Sequence, residues 1–235
     1  MAFVHGKSAA ALLDGFDISA YVRSGDFSAE IDTAETSTWS SSWKSYIAGN
    51  MKASVSLDGL FDTAMAPNFT GQIGDTPGGL LTFGPGGLAL GAPCRLLQVI
   101  ESSYGETASI GDVVGFTYEA TTNTVLGIGH VIGASAAVTA DQNGTSVDLT
   151  ASSATGAIAF LHVTSVSASD SIVVSIEDSS TGSSGWATIG TFASKSAAGA
   201  ERIVIAGTVK RYVRVVDDVT GTGVSIVRAV ALART

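Results

Sequence analysis

Lys52-Ala53-Ser54-Val55-Ser56-Leu57-Asp58-Gly59-Leu60-Phe61-Asp62 places an apolar side chain at every second position from Ala53 to Leu57. That is the period of a strand with one face on a core and the other in water. Ala53, Val55 and Leu57 make the apolar row, and Lys52, Ser54, Ser56 and Asp58 the polar one. The period breaks over Leu60-Phe61-Asp62-Thr63-Ala64-Met65, which reads as one or two helical turns stopped by Pro67. Outward from this stretch the alternation recurs at Phe16, Ile18, Ala20 and Val22, at Phe27, Ala29 and Ile31, and at Val114, Phe116 and Tyr118. Each of these strands is expected to keep one face on a core.

Between Pro67 and Pro93, Thr76-Pro77-Gly78-Gly79 and Gly84-Pro85-Gly86-Gly87 are turn signals around a short strand over Leu80 to Phe83. Arg95 to Ser102 reads as a buried strand. Small residues from Gly133 onward and Asp141-Gln142-Asn143-Gly144 suggest a linker or turn into a second domain. The expected division is therefore 1–138 and 139–235. The second part supplies strand patterns near Ser146 to Leu149, Ile158 to Val166, Ser171 to Glu177, Ala187 to Phe192, Glu201 to Ala206, Arg211 to Val216 and Val224 to Leu232. Seven short strands separated by Ser/Gly clusters suit an antiparallel sandwich. The expected fold is mainly β, a sandwich or barrel with one short helix followed by a second antiparallel β-sandwich.

Charged residues make up 14% of the 235-residue chain, against roughly 25% in an average soluble protein. Surface this poor in charge suits coverage by neighbouring copies, because interface cores are depleted of charge. The net charge of −9 argues against a nucleic-acid binder of the basic-patch type, which needs clustered Lys and Arg. Residues 1–138 carry 13 acids and 5 bases, while 139–235 carry 8 and 7. The acidity belongs to the first part. No apolar stretch approaches the ~18 residues needed to span a bilayer, and the amino terminus lacks a secretory pattern, so synthesis and assembly in a host cytoplasm with no membrane insertion is the expectation. The sequons Asn68-Phe69-Thr70 and Asn143-Gly144-Thr145 carry no information without such a signal.

No catalytic, cofactor or metal site is expected. Cys94 is the only cysteine and reads as a small buried hydrophobe. His5, His130 and His162 are dispersed, with no partner at metal-ligand spacing. Gly84-Pro85-Gly86-Gly87 and Gly127-Ile128-Gly129 precede no helix that could hold an anion, and read as turns or bulges. Trp186, beside the loop Asp178 to Gly185, is a possible sugar contact. Trp39 and Trp43 read as anchors of subunit contacts or as packing on a sheet.

The run from Trp43-Lys44-Ser45-Tyr46-Ile47 through Gly49 to Ser56-Leu57-Asp58-Gly59-Leu60-Phe61-Asp62 resembles the signature of phage tail tube proteins. Leu13 to Val22 and Asp26 to Ser37 also look like that family's amino-terminal strands. The second part is similar, more distantly, to immunoglobulin-like or carbohydrate-binding decoration modules. The resemblance implies a non-enzymatic virion protein forming rings, usually hexamers, that stack into a hollow tube conducting DNA. It also implies other tail proteins such as tape measure and terminator as partners, and the virion tail as location.

Two surfaces follow from that resemblance. Asp26, Glu30 and Asp32 lie opposite Phe27, Ala29 and Ile31 on one strand, and would line the bore, where negative charge repels duplex phosphates. Thr33 to Ile47 is Ser/Thr-rich and poorly patterned and reads as an irregular arm to the neighbouring ring, with Thr36, Trp39, Trp43 and Tyr46 as its contacts. The rival readings are a carbohydrate- or receptor-binding module resting on the second part, and a capsid decoration protein.

Overall fold

The computed structural model describes residues 5–64, 73–76 and 78–235. The chain is almost entirely antiparallel β, in two sheets. In chain order the first seven strands are β1 (Ala10–Leu13), β2 (Phe16–Asp17), β3 (Val22–Glu35), β4 (Tyr46–Leu60), β5 (Gly79–Gly84), β6 (Pro93–Thr107) and β7 (Gly115–Val138). They are followed by β8 (Gln142–Asn143), β9 (Val147–Asp148), β10 (Ala157–Val166), β11 (Ser171–Ser179), β12 (Ala187–Thr191), β13 (Gly199–Ile205), β14 (Tyr212–Thr220) and β15 (Ile226–Arg234). The larger sheet runs β13-β10-β15-β7-β6-β5-β1-β2, with the β3–β4 hairpin joined to β7 through β4. The smaller sheet is β12-β11-β14, with β8 and β9 both pairing with β14.

Apolar alternation decides which faces meet. Leu13, Leu57, Leu81, Leu97, Phe116 and Tyr118 fill one core under the amino-terminal strands. Leu161, Val174, Ile176, Phe192, Val215 and Leu232 fill a second between β10–β15 and β11–β14. Each such side chain contributes roughly 1.5–3 kcal/mol by leaving water. A buried ion pair joins the two sheets of this sandwich: Arg228 Nε donates to Asp217 Oδ1 at 2.8 Å and Nη2 to Oδ2 at 2.5 Å. Gln142 also donates to Oδ2, at 3.0 Å.

A third core draws on both parts of the chain, with Leu80, Cys94 and Leu96 against Ile158, Phe160, Ala231 and Ala233. Burial pushes the Cys94 thiol up to about 12. Two polar contacts sit in this seam. Arg202 Nη1 donates to Gln98 Oε1 at 2.8 Å. His162, fully enclosed, accepts the Gly15 N–H on Nδ1 at 3.3 Å and meets Thr82 Oγ1 through Nε2 at 2.9 Å. Accepting on Nδ1 places the ring proton on Nε2, so Nε2–H donates to Thr82. The glycine it holds is half of a two-residue hairpin, Asp14-Gly15, with φ of 48° and 84°, the positive pair that suits the strand twist.

The structure departs from the sequence expectations at four places. Gly133 to Val138, expected to lead into a linker, is strand, because β7 continues to pair with β15 from Leu232↔His130 to Ile226↔Val138. Close packing requires one of its glycines: a Cβ on Gly129 would lie 2.1 Å from the Leu232 carbonyl oxygen. The short helix expected over Leu60 to Met65 is not formed at its described residues. Leu60 closes β4, paired with Gly115, and Thr63-Ala64 is a turn. Met65 and Pro67, the sequon Asn68-Phe69-Thr70 and Pro77 lie outside the described residues. The only described helix is one 3-10 turn, Gly6–Ser8. Thr33 to Ile47 is irregular only over 36–45, since Thr33↔Ala48 and Glu35↔Tyr46 extend the β3–β4 ladder. Finally, β3 does not keep one face on a core: Phe27 is half-buried, but Ala29 and Ile31 are exposed, because the strand outruns the cluster beneath it.

Candidate assembly surface

Apart from Trp186, the sites expected from the sequence fall on one element, the β3–β4 hairpin. Its register sets Phe27 opposite Val55, Ala29 opposite Ala53 and Ile31 opposite Met51. Val55 and Ala53 are buried, whereas Ile31 is 45% exposed and Met51 71%. The apolar face therefore continues past the end of the chain's own core. Farther out, Tyr46 and Ile47 are exposed, and at the tip Trp43 is 87% and Trp39 108% exposed. Neither tryptophan packs on the sheet. Hydrogen bonds order the tip locally: Thr36 N–H donates to the Ser45 carbonyl at 2.8 Å, Thr36 Oγ1 meets Ser45 Oγ at 2.8 Å, and Lys44 pairs with Glu35 at 3.0 Å. The arm is thus a formed hairpin with aromatic side chains in water.

The other face of the same hairpin is polar. Asp26 lies opposite Ser56, Ser56 opposite Glu119, and Glu119 opposite Ser103. The adjoining rows hold Ser28, Ser54 and Thr121, and then Asp58 and Thr117. Ser28 Oγ and Ser54 Oγ are hydrogen-bonded at 2.8 Å. Of the three expected acids, Asp26 stands in this row. Glu30 is paired with Lys52 at 3.3 Å, which compensates its charge. Asp32 is exposed where the register shifts between Ile31 and Thr33. Asp58 and Glu119, which sequence reading did not assign to this face, share it. Their membership depends on which strands are neighbours, and β4 meets β7 across more than fifty residues of intervening chain. The one available signal was that Asp58 and Glu119 each stand at polar positions of alternating strands.

Two further features bear on association. The outer edge of β3 has no partner strand among the described residues. Between this edge and β1 runs a groove of ≈ 670 Å³ lined by Ala10, Val22, Leu57 and Phe83, with Lys7 and Arg23 at its rim. Among the described residues, β3 and β1, which face each other across this groove, are not paired with one another. At the opposite end of β4 from the arm tip, the loop between β6 and β7 presents Ile110, 109% exposed, and Val113 beside the exposed Leu60.

Trp186 lies apart from these surfaces. Its ring carries the Arg214 guanidinium at 4.3 Å from the centroid, and Arg214 Nε and Nη2 both donate to Glu177 Oε2, at 2.8 and 2.7 Å. One ring face is already occupied. The three histidines are separate: His5 is exposed and accepts from the Lys7 N–H, His130 is half-buried in β7, and His162 is in the seam. No cluster of three metal-capable side chains occurs among the described residues, and no helix there is long and apolar enough to cross a membrane.

No known family's model matches the chain, and no curated protein matches it. Among solved structures it is similar to a chain of the virion of the native gene transfer agent particle, with 15% identity and a TM-score of 0.45 over 54% of this chain and 98% of that one. It is also similar to a chain of the tail of the empty gene transfer agent particle, refined with C6 symmetry: 15% identity, TM-score 0.38, 46% of this chain and 81% of that one. The Dit protein of phage SPP1, described as a paradigm of hub adsorption apparatus, matches with 11% identity and a TM-score of 0.38 over 95% of this chain and 98% of that one. At such scores these are likenesses in outline.

Proposed function

We propose that the chain is a structural subunit of a phage-type tail, which closes into rings that stack as a hollow tube. The observation that carries this reading is the β3–β4 arm. Strands of 14 and 15 residues run off the core and hold Tyr46, Trp43 and Trp39 in water. An exposed aromatic patch of this kind marks an interaction surface. The free β3 edge supports it, since long unpaired edges are hazards that proteins either blunt or pair. The tail-tube resemblance of the sequence from Trp43 to Asp62 supports it too.

In this reading residues 1–138 are the tube-forming part and 139–235 an outward decoration. The Asp26–Ser56–Glu119 face, with Asp58 on the adjoining row, lines the bore, and DNA transits without being held. Hexameric rings and contacts to tape measure and terminator proteins belong to the same proposal. Negative-stain electron microscopy of the purified chain at high concentration tests it. Rings or tubes are expected; a monomer that stays single at every concentration, and fails to add to preformed tail initiators, would sink the tube assignment.

A further inference from the structure

The chain has 12 Lys and Arg against 21 Asp and Glu, so most of its cations can find a partner. Seven are in ion pairs, Arg95 and Arg234 donate to backbone carbonyls, and Arg202 donates to Gln98. The two left are Lys7 and Arg23, whose side chains have no hydrogen bond or ion pair among the described residues. Both line the ≈ 670 Å³ groove between β1 and the start of β3, and no acidic residue lines it among the described residues. Lys7 reaches it from the 3-10 turn before β1. Arg23 reaches it from the register shift between Val22 and Ser24, a bulge of the kind that re-aims a side chain. Below the two cations the floor is apolar, with Val22, Leu57 and Phe83.

We infer that this groove binds a single-chain anionic amphiphile, an apolar body with a carboxylate head such as a free fatty acid presents. The body lies on Val22, Leu57 and Phe83, and the head meets Lys7 and Arg23. Charge complementarity selects this occupant: the unengaged cations of an acidic protein stand over one apolar floor, where an anion meets no lining carboxylate. The volume and the mix of apolar lining with a few polar groups are those of a small-molecule site. A strand added by another protein fits less well, because the bulge at Val22 to Ser24 interrupts the ladder where β3 borders the groove, and bulges blunt an edge against pairing. The site is complete within one chain, so the inference goes beyond the tail-subunit reading and does not depend on it.

Dye displacement on the full chain tests this. Anilinonaphthalene sulfonate, an apolar ring system with one negative charge, should bind and be displaced by dodecanoate held below its micelle concentration. Lys7→Gln combined with Arg23→Gln should weaken both ligands by about tenfold or more, through the lost charge-assisted contacts. The uncharged relative phenylnaphthylamine should bind the variant as it binds the parent, because only the head has lost its partners. Both positions are exposed, so the variant is expected to fold, and its binding of the neutral dye reports that the floor is intact. No displacement by dodecanoate, or an equal loss of charged and neutral dyes, overturns the inference. Displacement by a soluble peptide of alternating Glu and Val, but not by dodecanoate, overturns it in favour of a strand partner. Deleting Thr36 to Ser42 should leave the charged dye bound; its loss would place the dye on the arm tryptophans and remove the groove site. Microscopy of the same samples separates this site from the tube reading. Binding without rings or tubes keeps the site and removes the tube, and tubes without binding do the reverse.

Discussion

Glu101 and His162 are two buried titratable groups that pull stability in opposite directions with pH. The Glu101 carboxylate is buried, and neither oxygen has a hydrogen-bond partner among the described residues. Burial, with Asp75 nearby, pushes it up to about 7. A carboxyl raised in the fold keeps its full stability below the unfolded value and loses it as pH rises through the folded one. Glu101→Gln should therefore raise stability by about 1–3 kcal/mol at pH 8 and leave it nearly unchanged at pH 4, read from denaturant midpoints. For His162 burial lowers the ring to about 3. Its contribution is complete above ~6.5 and falls by about 1.4 kcal/mol per pH unit from there towards 3, because the unfolded chain takes a proton that the fold refuses. His162→Gln should flatten that acid limb of the thermal midpoint against pH; an unchanged slope would mean the ring is hydrated.

At the scale of elements, the sandwich ion pair and the arm make opposite predictions. Asp217→Ala strands the Arg228 guanidinium in a core, and should cost about 3–5 kcal/mol in chemical denaturation. Deleting Thr36 to Ser42 removes side chains that touch no core. It should move stability by less than about 0.5 kcal/mol while abolishing tubes in the microscope; tubes of normal length would exclude the arm from stacking. Most strands were legible in the sequence because alternation is local: the seven patterns of the second part coincide with β9 to β15 within a few residues. The arm is irregular over 36–45, as read from its sequence, but its flanks at 33–35 and 46–47 are strand. Those flanks escape a sequence reading because Ser/Thr-rich strands exposed on both faces have no apolar period to read, and only the pairing of Glu35 with Tyr46 reveals them. The helix expected at Leu60 failed for a related reason. A break in alternation marks the end of a strand as readily as the start of a helix.

For the whole molecule, the sequence placed a linker where the chain holds a strand, since Gly133 and the alanines of β7 look weak in isolation. The smallness of Gly133 is what lets β15 and β14 pack close there, since a Cβ on it would lie 2.8 Å from Arg228 Nη1 and 3.1 Å from Val215 Cγ2. The amino-terminal core, the sandwich core and the shared seam are joined through β7, the His162 contacts and the Arg202–Gln98 bond. Thermal unfolding should accordingly be a single transition with coincident near- and far-ultraviolet signals, whereas two resolved steps would show the seam to be weaker than either core. β7 has a mechanical consequence as well. Tension applied between the two halves would run along one unbroken strand, and the hydrogen bonds to β6 and β15 lie across that pull. They would be loaded together in shear and not peeled one at a time, so the carboxy-terminal sandwich could serve as a stiff lever on the body that carries it.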